Sequence, residues 1–130
     1  EMTYEEKKAE EERIHEETDK LYQQYQADVD KHAKLRGECF EKSKAAFANG
    51  DKGEAKKLSD QGKEHGRLME EARKKQADAL FEFRNPSDKL SQGTIDLHGL
   101  QLEFAMDRMK SFVEDARKAG KQKELLIITG

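Results

Sequence analysis

The chain has 130 residues, of which 41% are charged and 34% hydrophobic, and its formal net charge is −3. This composition allows one modest core or two thin ones, and it excludes a large enzyme interior. No apolar run approaches the roughly 18 residues of a membrane span, and Cys39 is the only cysteine. We therefore predict a cytoplasmic protein with no intrachain disulfide and no membrane partner.

Charge is distributed unevenly along the chain. Residues 1–30 carry eleven acidic and four basic side chains, whereas residues 31–90 carry eleven acidic and fifteen basic ones. Residues 1–20 contain almost no apolar side chains, so they are predicted to be a solvated helix or a frayed tail.

Two amphipathic helices follow. Apolar side chains recur every three or four positions over residues 21–47 and again over residues 55–83, which is helical spacing. The Asn-Gly between them stops a helix, and Asp51 precedes Glu54 at the spacing of a capping box. Helices joined by so short a turn pack antiparallel, so residues 21–84 are predicted to form a helical hairpin.

Four basic residues lie within about 20° of one line on the outer face of the second helix: Lys56, Lys63, Arg67 and Lys74. Acidic residues border this line and give i,i+4 pairs, which favour an ordinary salt-bridged surface. The pairs expected are Lys56–Asp60, Arg67–Glu71 and Glu70–Lys74. The alternative interpretation is a surface that follows the phosphates of a nucleic acid.

Residues 85–93 are predicted to be a linker, because Asn-Pro stops the second helix. Beyond it, residues 94–97 and 124–129 have the pattern of short strands, and residues 100–120 that of an amphipathic helix. This order predicts a βαβ unit with parallel strands. Two strands and one helix leave a face and both edges of the sheet uncovered, so we expect a later segment, or alternatively another chain, to cover them. The predicted fold class is α+β, mostly α.

The stretch TIDLHGL contains the candidate site. Strand alternation places Asp96 and His98 on one side, at the carboxyl end of a strand that meets a helix across a turn at Gly99. Ligands bind at this position in open parallel sheets, and the N–H groups of the helix N-terminus suit a phosphate. The alternative is that Asp96 only caps the helix and that His98 is an ordinary surface histidine.

A metal site has less support. Asp96 and His98 supply two ligands at most, so no metal site and no cofactor are predicted, with a hydrated Mg²⁺ held partly by Asp96 as the alternative.

Two motifs resemble a known family. IDLHGLQLEFAMDRMKSFVEDA followed by LLIITG is similar to the first half of an Smr (small MutS-related) domain. That domain has an Asp-Leu-His-Gly-Leu strand end, a helix, and a strand that ends in Thr-Gly. AFANGDKGEAKKLSDQGKEHGRLMEEARKKQADALFEFRN resembles the helical extension that precedes many eukaryotic Smr domains. The resemblance implies that residues 94–130 are the N-terminal part of an α/β Smr domain, cut after its second strand.

The resemblance also implies a function. Smr proteins of this architecture are endonucleases that act on messenger RNA at stalled ribosomes, so RNA and the ribosome are the expected partners. Asp96 and His98 match the family's catalytic D-x-H pair. Thr129 and Gly130 match the start of its Thr-Gly-x-Gly loop, which usually contains a basic residue. They join Gly99 and the basic helix face as candidates for substrate binding.

Because the rest of that loop lies outside these 130 residues, we expect this chain by itself to be inactive. The alternative function is a non-catalytic module that binds RNA, the ribosome or a protein through its hairpin. No sequence pattern specifies an oligomeric state.

Overall fold

The computed structural model describes residues 1–120 and 124–130. The elements in chain order are α1 (Tyr4–Ala48), α2 (Lys52–Arg84), α3 (Ser87–Ser91), β1 (Thr94–Asp96), α4 (Leu102–Ala119) and β2 (Leu126–Ile128). The chain divides into two compact units, Glu1–Gln76 and Ala77–Gly130. The predicted class, mostly α with a long helical hairpin and a small parallel sheet, is confirmed.

Helix α1 begins at a capping box. The Thr3 hydroxyl accepts a hydrogen bond from the Glu6 backbone N–H at 3.1 Å, and the Glu6 carboxylate accepts one from the Thr3 N–H at 3.4 Å. These bonds satisfy N–H groups that the first turn would otherwise leave open. The acidic first stretch is therefore helical from Tyr4, and the 45 residues of α1 span about 67 Å.

The turn between α1 and α2 has the chemistry that the sequence predicts. Gly50 takes a φ of +82°, a left-handed conformation that ends α1 without steric cost. The Asp51 carboxylate accepts a hydrogen bond from the Glu54 N–H at 3.1 Å and so caps the start of α2.

Three contacts show that the two arms of the hairpin run antiparallel. The Phe40 ring lies against Gly62, the rings of His32 and His65 stack, and Gln76 donates to the Tyr22 carbonyl at 2.9 Å. A Cβ atom at Gly62 would lie 2.5 Å from the Phe40 ring, so only glycine allows this approach. The apolar centre of the first unit is formed by Val29, Met69 and Ala72.

The second unit has its core around β1. Ile95 and Leu97 are almost fully buried and pack with Phe81, from the end of α2, and with Phe112 of α4. Strands β1 and β2 pair in parallel, with Ile95 opposite Ile127, as predicted for a βαβ unit. The region predicted to be a linker contains α3, which starts directly after Pro86.

One face of this unit is open to solvent. Helix α4 ends at Gly120 in a left-handed cap, as expected, and its buried side includes Phe112. Other apolar side chains of α4 and β2 are exposed: Leu102, Met106, Val113, Leu126 and Ile128. An uncovered face is the arrangement that two strands and one helix predict.

Candidate active site

The Asp96 and His98 side chains form a direct hydrogen bond. The distance from His98 Nδ1 to Asp96 Oδ1 is 2.5 Å, and the same carboxylate oxygen accepts the His98 backbone N–H at 3.1 Å. The Asp96 side chain is 21% exposed and that of His98 is 44% exposed. The carboxylate is thus largely enclosed, whereas the imidazole stays accessible to a ligand.

This geometry fixes the tautomer of the imidazole. An ionised carboxylate can only accept hydrogen bonds, so the proton between the two side chains belongs to His98 Nδ1. In a neutral ring, Nε2 then keeps its lone pair and can accept a proton. A carboxylate that orients a histidine in this way is a recurring arrangement in acid–base catalysis.

The core of the second unit positions the pair. Ile95 is 1% exposed and Leu97 is 5% exposed, so β1 cannot rotate without exposing both. Strand alternation sends Asp96 to the opposite side. The strand ends at Asp96 rather than at residue 97, and His98 lies in the turn that follows. This turn therefore brings the two side chains together. The Asp96 carboxylate closes the turn by accepting the hydrogen bond from the His98 backbone N–H.

Gly99 and Gly130 border the turn. Gly99 has a φ of +80°, and a Cβ atom there would lie 2.7 Å from Arg84 Nη1. Gly130 lies against His98, because a Cβ atom at Gly130 would be 3.6 Å from the His98 Cβ. Thr129 is exposed directly after β2. The carboxyl ends of both strands thus meet beside the imidazole, as parallel pairing requires.

Helix α4 starts next to this turn. Its N-cap residue, Gln101, makes no side-chain capping hydrogen bond. The first turn of α4 therefore has no side-chain cap on N–H groups of the kind that bind anions.

Two residues that the sequence patterns did not assign to the site contact it. Arg84 Nη1 donates to the His98 carbonyl at 2.7 Å. The buried Asn85 amide donates to the Asp96 carbonyl at 2.8 Å and accepts the Asp96 N–H at 2.6 Å. Burial lowers the pKa of Arg84, and the charge of Asp96 partly offsets this effect. The Asn-Pro signal indicated only a helix end, and no sequence spacing connects that end to β1.

The four basic candidates of α2 belong to the first unit, whereas Asp96 and His98 belong to the second. Lys56 pairs with Asp60 at 3.1 Å, and Arg67 pairs with Glu64 at 2.7 Å and with Glu71 at 3.0 Å.

Hydrogen bonds and charge attraction from the carboxylates of Glu64 and Glu71 raise the pKa of Arg67. The prediction of a Glu70–Lys74 pair is wrong, because Glu70 pairs with Arg73 at 3.0 Å instead. Lys63 and Lys74 have no acidic partner among residues 1–120 and 124–130. Half of the basic line is therefore an ordinary salt-bridged surface, and half carries unpaired charge.

Within the residues that the structure describes, no three side chains of His, Cys, Asp or Glu converge as metal ligands. No helix in the same part of the chain is long and apolar enough to cross a membrane.

Comparison with known proteins shows a similarity over the hairpin. The model of a family described as Domain of unknown function (DUF1771) matches residues 22–85. The match ends on Asn85, the residue that holds the backbone of Asp96. No solved structure matches the chain.

Curated relatives extend the similarity beyond the residues that match DUF1771. An Smr domain-containing protein of Schizosaccharomyces pombe is 31% identical over 109 residues, which cover 84% of this chain and 52% of that protein. NEDD4-binding protein 2 of Homo sapiens is 34% identical, over 82% of this chain and 6% of that protein. Polyadenylate-binding protein-interacting protein 7 of Arabidopsis thaliana is 32% identical, over 69% of this chain and 17% of that protein.

The chain thus spans about half or less of the length of these relatives. Together with the DUF1771 match, they support a relationship to the Smr family.

Proposed function

We propose that the protein is an Smr-type endonuclease that cleaves RNA in messenger RNA quality control at stalled ribosomes in the cytoplasm. Residues 94–130 form the N-terminal part of its Smr domain. The observation that carries the proposal is the hydrogen bond between His98 Nδ1 and Asp96 Oδ1 at the carboxyl end of β1. The support for the Smr family comes from a relative with that name.

His98 is the group that transfers protons. Its Nδ1 is occupied by Asp96, so Nε2 accepts a proton from the attacking hydroxyl of the RNA or from water. Asp96 holds the ring in this tautomer, and its negative charge stabilises the imidazolium that forms. The accessibility of His98 and the enclosure of Asp96 suit these two roles.

The scissile phosphate binds beside the imidazole. Gly99 is exposed in the turn, and the N–H groups of the first turn of α4 have no side-chain cap from Gln101. These groups attract an anion, and they stabilise charge that develops during cleavage. Thr129 and Gly130, which follow β2 beside His98, line the other side of this position.

The test is cleavage of a labelled structured RNA by the protein that carries this chain, compared with His98→Ala and Asp96→Asn. We expect His98→Ala to lose about 10²-fold or more of the rate, the usual contribution of general acid–base catalysis. His15→Ala and Asp19→Asn are matched controls, because these residues pair with each other on the exposed surface of α1. Cleavage by all five proteins at one rate would exclude the assignment.

The proposed chemistry uses no cofactor. The alternative is a Mg²⁺ ion bound partly through Asp96, for which the carboxylate would have to share its oxygens with His98. The same assay with and without EDTA separates the two possibilities. We expect the cleavage rate to be unchanged by EDTA.

The second candidate function is a non-catalytic binding module. It is favoured by the exposed cations Lys63 and Lys74, and by the printed names of two relatives, one of which binds NEDD4 and one of which interacts with polyadenylate-binding protein. In this function the hairpin binds RNA, the ribosome or a protein. RNA binding that survives in His98→Ala while no protein cleaves RNA would favour this function over the endonuclease.

A further inference from the structure

The last turn of α2 holds the backbone on both sides of the catalytic pair. Asn85 bonds the N–H and the carbonyl of Asp96, and Arg84 bonds the carbonyl of His98. The three hydrogen bonds measure 2.6, 2.8 and 2.7 Å. Two adjacent residues of one helix end therefore fix the first and the last residue of the D-x-H segment.

Asn85 acts as a substitute for a neighbouring strand. Leu97 directs its N–H to β2, where the Ile128 carbonyl accepts it at 2.8 Å. Backbone groups of adjacent strand residues point to opposite edges, so those of Asp96 face away from β2. The Asn85 amide satisfies both of them and also donates to the Phe81 carbonyl at 2.8 Å. Asn85 is 5% exposed, so water cannot easily replace it.

Arg84 controls the other end of the segment. Its guanidinium lies against Gly99, where the approach is too close for any side chain, and it donates to the carbonyl one residue earlier. Among the described residues, the Arg84 guanidinium makes one hydrogen bond, and it does so through Nη1. A planar charged donor fixes the direction of the His98 carbonyl, and this restrains the backbone that carries the imidazole.

We propose that Arg84 and Asn85 are positioning residues of the Asp96–His98 pair, so that the end of the segment that matches DUF1771 is part of the proposed active site. The role of the pair in cleavage rests on the function proposed above. The hold on the pair is a property of the folded protein, and it can be measured whether or not RNA is cleaved. This arrangement gives a physical reason why a helical extension directly precedes the D-x-H strand.

The experiment is nitrogen NMR of the histidine rings, which reports the tautomer of His98. In the wild type we expect one dominant form, with the proton on Nδ1. In Arg84→Met, which keeps a long side chain but cannot donate, we expect Nδ1–H to become the minority form, because an imidazole without a fixed partner prefers to carry its proton on Nε2. Arg84→Lys, which restores a charged donor, should recover most of the wild-type form.

Arg117→Met is the matched control, because Arg117 is an exposed residue of α4 that pairs only with Glu114 among the described residues. We expect it to leave the His98 tautomer unchanged. Arg84→Gln, which keeps an amide donor, replaces Arg84→Met if the latter fails to fold, and an intermediate tautomer fraction is then expected.

Three outcomes would overturn the proposal: a wild-type tautomer in the folded Arg84→Met or Arg84→Gln protein, no recovery in Arg84→Lys, or an equal change in Arg117→Met. If the tautomer responds as expected while no variant cleaves RNA, the positioning role stands and the endonuclease function fails.

Discussion

At the scale of single residues, the site depends on the hydrogen bonds of a few side chains. Asp96 directs one carboxylate oxygen to the ring and to the backbone of His98, and Asn85 directs its whole amide to the backbone of Asp96 and Phe81. The D-x-H spacing made the Asp96–His98 pair predictable from the sequence, although the two side chains meet through a turn and not by strand alternation. The contributions of Arg84 and Asn85 were not predictable, because they depend on how the end of α2 docks on β1.

Asn85→Ala should therefore destabilise the protein. The substitution removes a buried amide and leaves the partly buried N–H and carbonyl of Asp96 without their partner, and such a loss costs about 1–3 kcal/mol. The measurement is chemical denaturation followed by circular dichroism. Asn49→Ala is the control, because Asn49 is exposed in the turn after α1 and should change the free energy of unfolding by less than about 0.5 kcal/mol. Equal effects of the two substitutions would contradict the role of Asn85.

At the scale of elements, local signals predicted most of the fold. The Asn-Gly stop, the Asp51 cap and the left-handed Gly120 all act within one turn of the chain, so the sequence suffices to place them. The capping box at Thr3 and Glu6 was missed, although its Ser/Thr-x-x-Glu spacing is visible in the sequence. Helix α3 was missed because five residues are too few to show periodicity.

A substitution at Gly62 tests how closely the two helices of the hairpin pack. Gly62→Ala would place a Cβ atom 2.5 Å from the Phe40 ring, and forcing extra volume into a packed interface costs about 1–3 kcal/mol. Gly37→Ala is a matched control inside α1, where an added Cβ has no atom within 4 Å. This control should stabilise the protein by about 0.5–1 kcal/mol, because alanine favours helix. Thermal unfolding that places both variants on the same side of the wild type would contradict this packing.

At the scale of the whole molecule, local ion pairs account for part of the charge composition. Many cations of the helices, such as Lys56 and Arg67, lie beside acids three or four positions away, and exposed pairs of this kind add little stability. Lys63 and Lys74 are the exceptions within the described part of the basic line. If RNA follows this basic line, Lys63 and Lys74 are the two of its four cations without an acidic partner among the described residues.

Lys63→Ala should therefore lower the affinity for RNA and make this affinity less dependent on salt concentration. Loss of one phosphate contact lowers the slope of log affinity against log salt concentration by about 0.7 for single-stranded RNA. Lys56→Ala is the control, because Lys56 already pairs with Asp60 at 3.1 Å. Binding isotherms at several salt concentrations measure both slopes, and equal slopes for the two variants would place RNA away from Lys63.

The central claim is that Asp96 and His98 act as one unit in RNA cleavage. Its most direct test is a double-mutant cycle on the single-turnover cleavage rate, with Asp96→Asn, His98→Ala and the two combined. Because Asp96 acts through His98, we predict that the double variant cleaves no more slowly than His98→Ala alone. If the two losses multiply in the double variant, the residues act independently, and the claim is wrong.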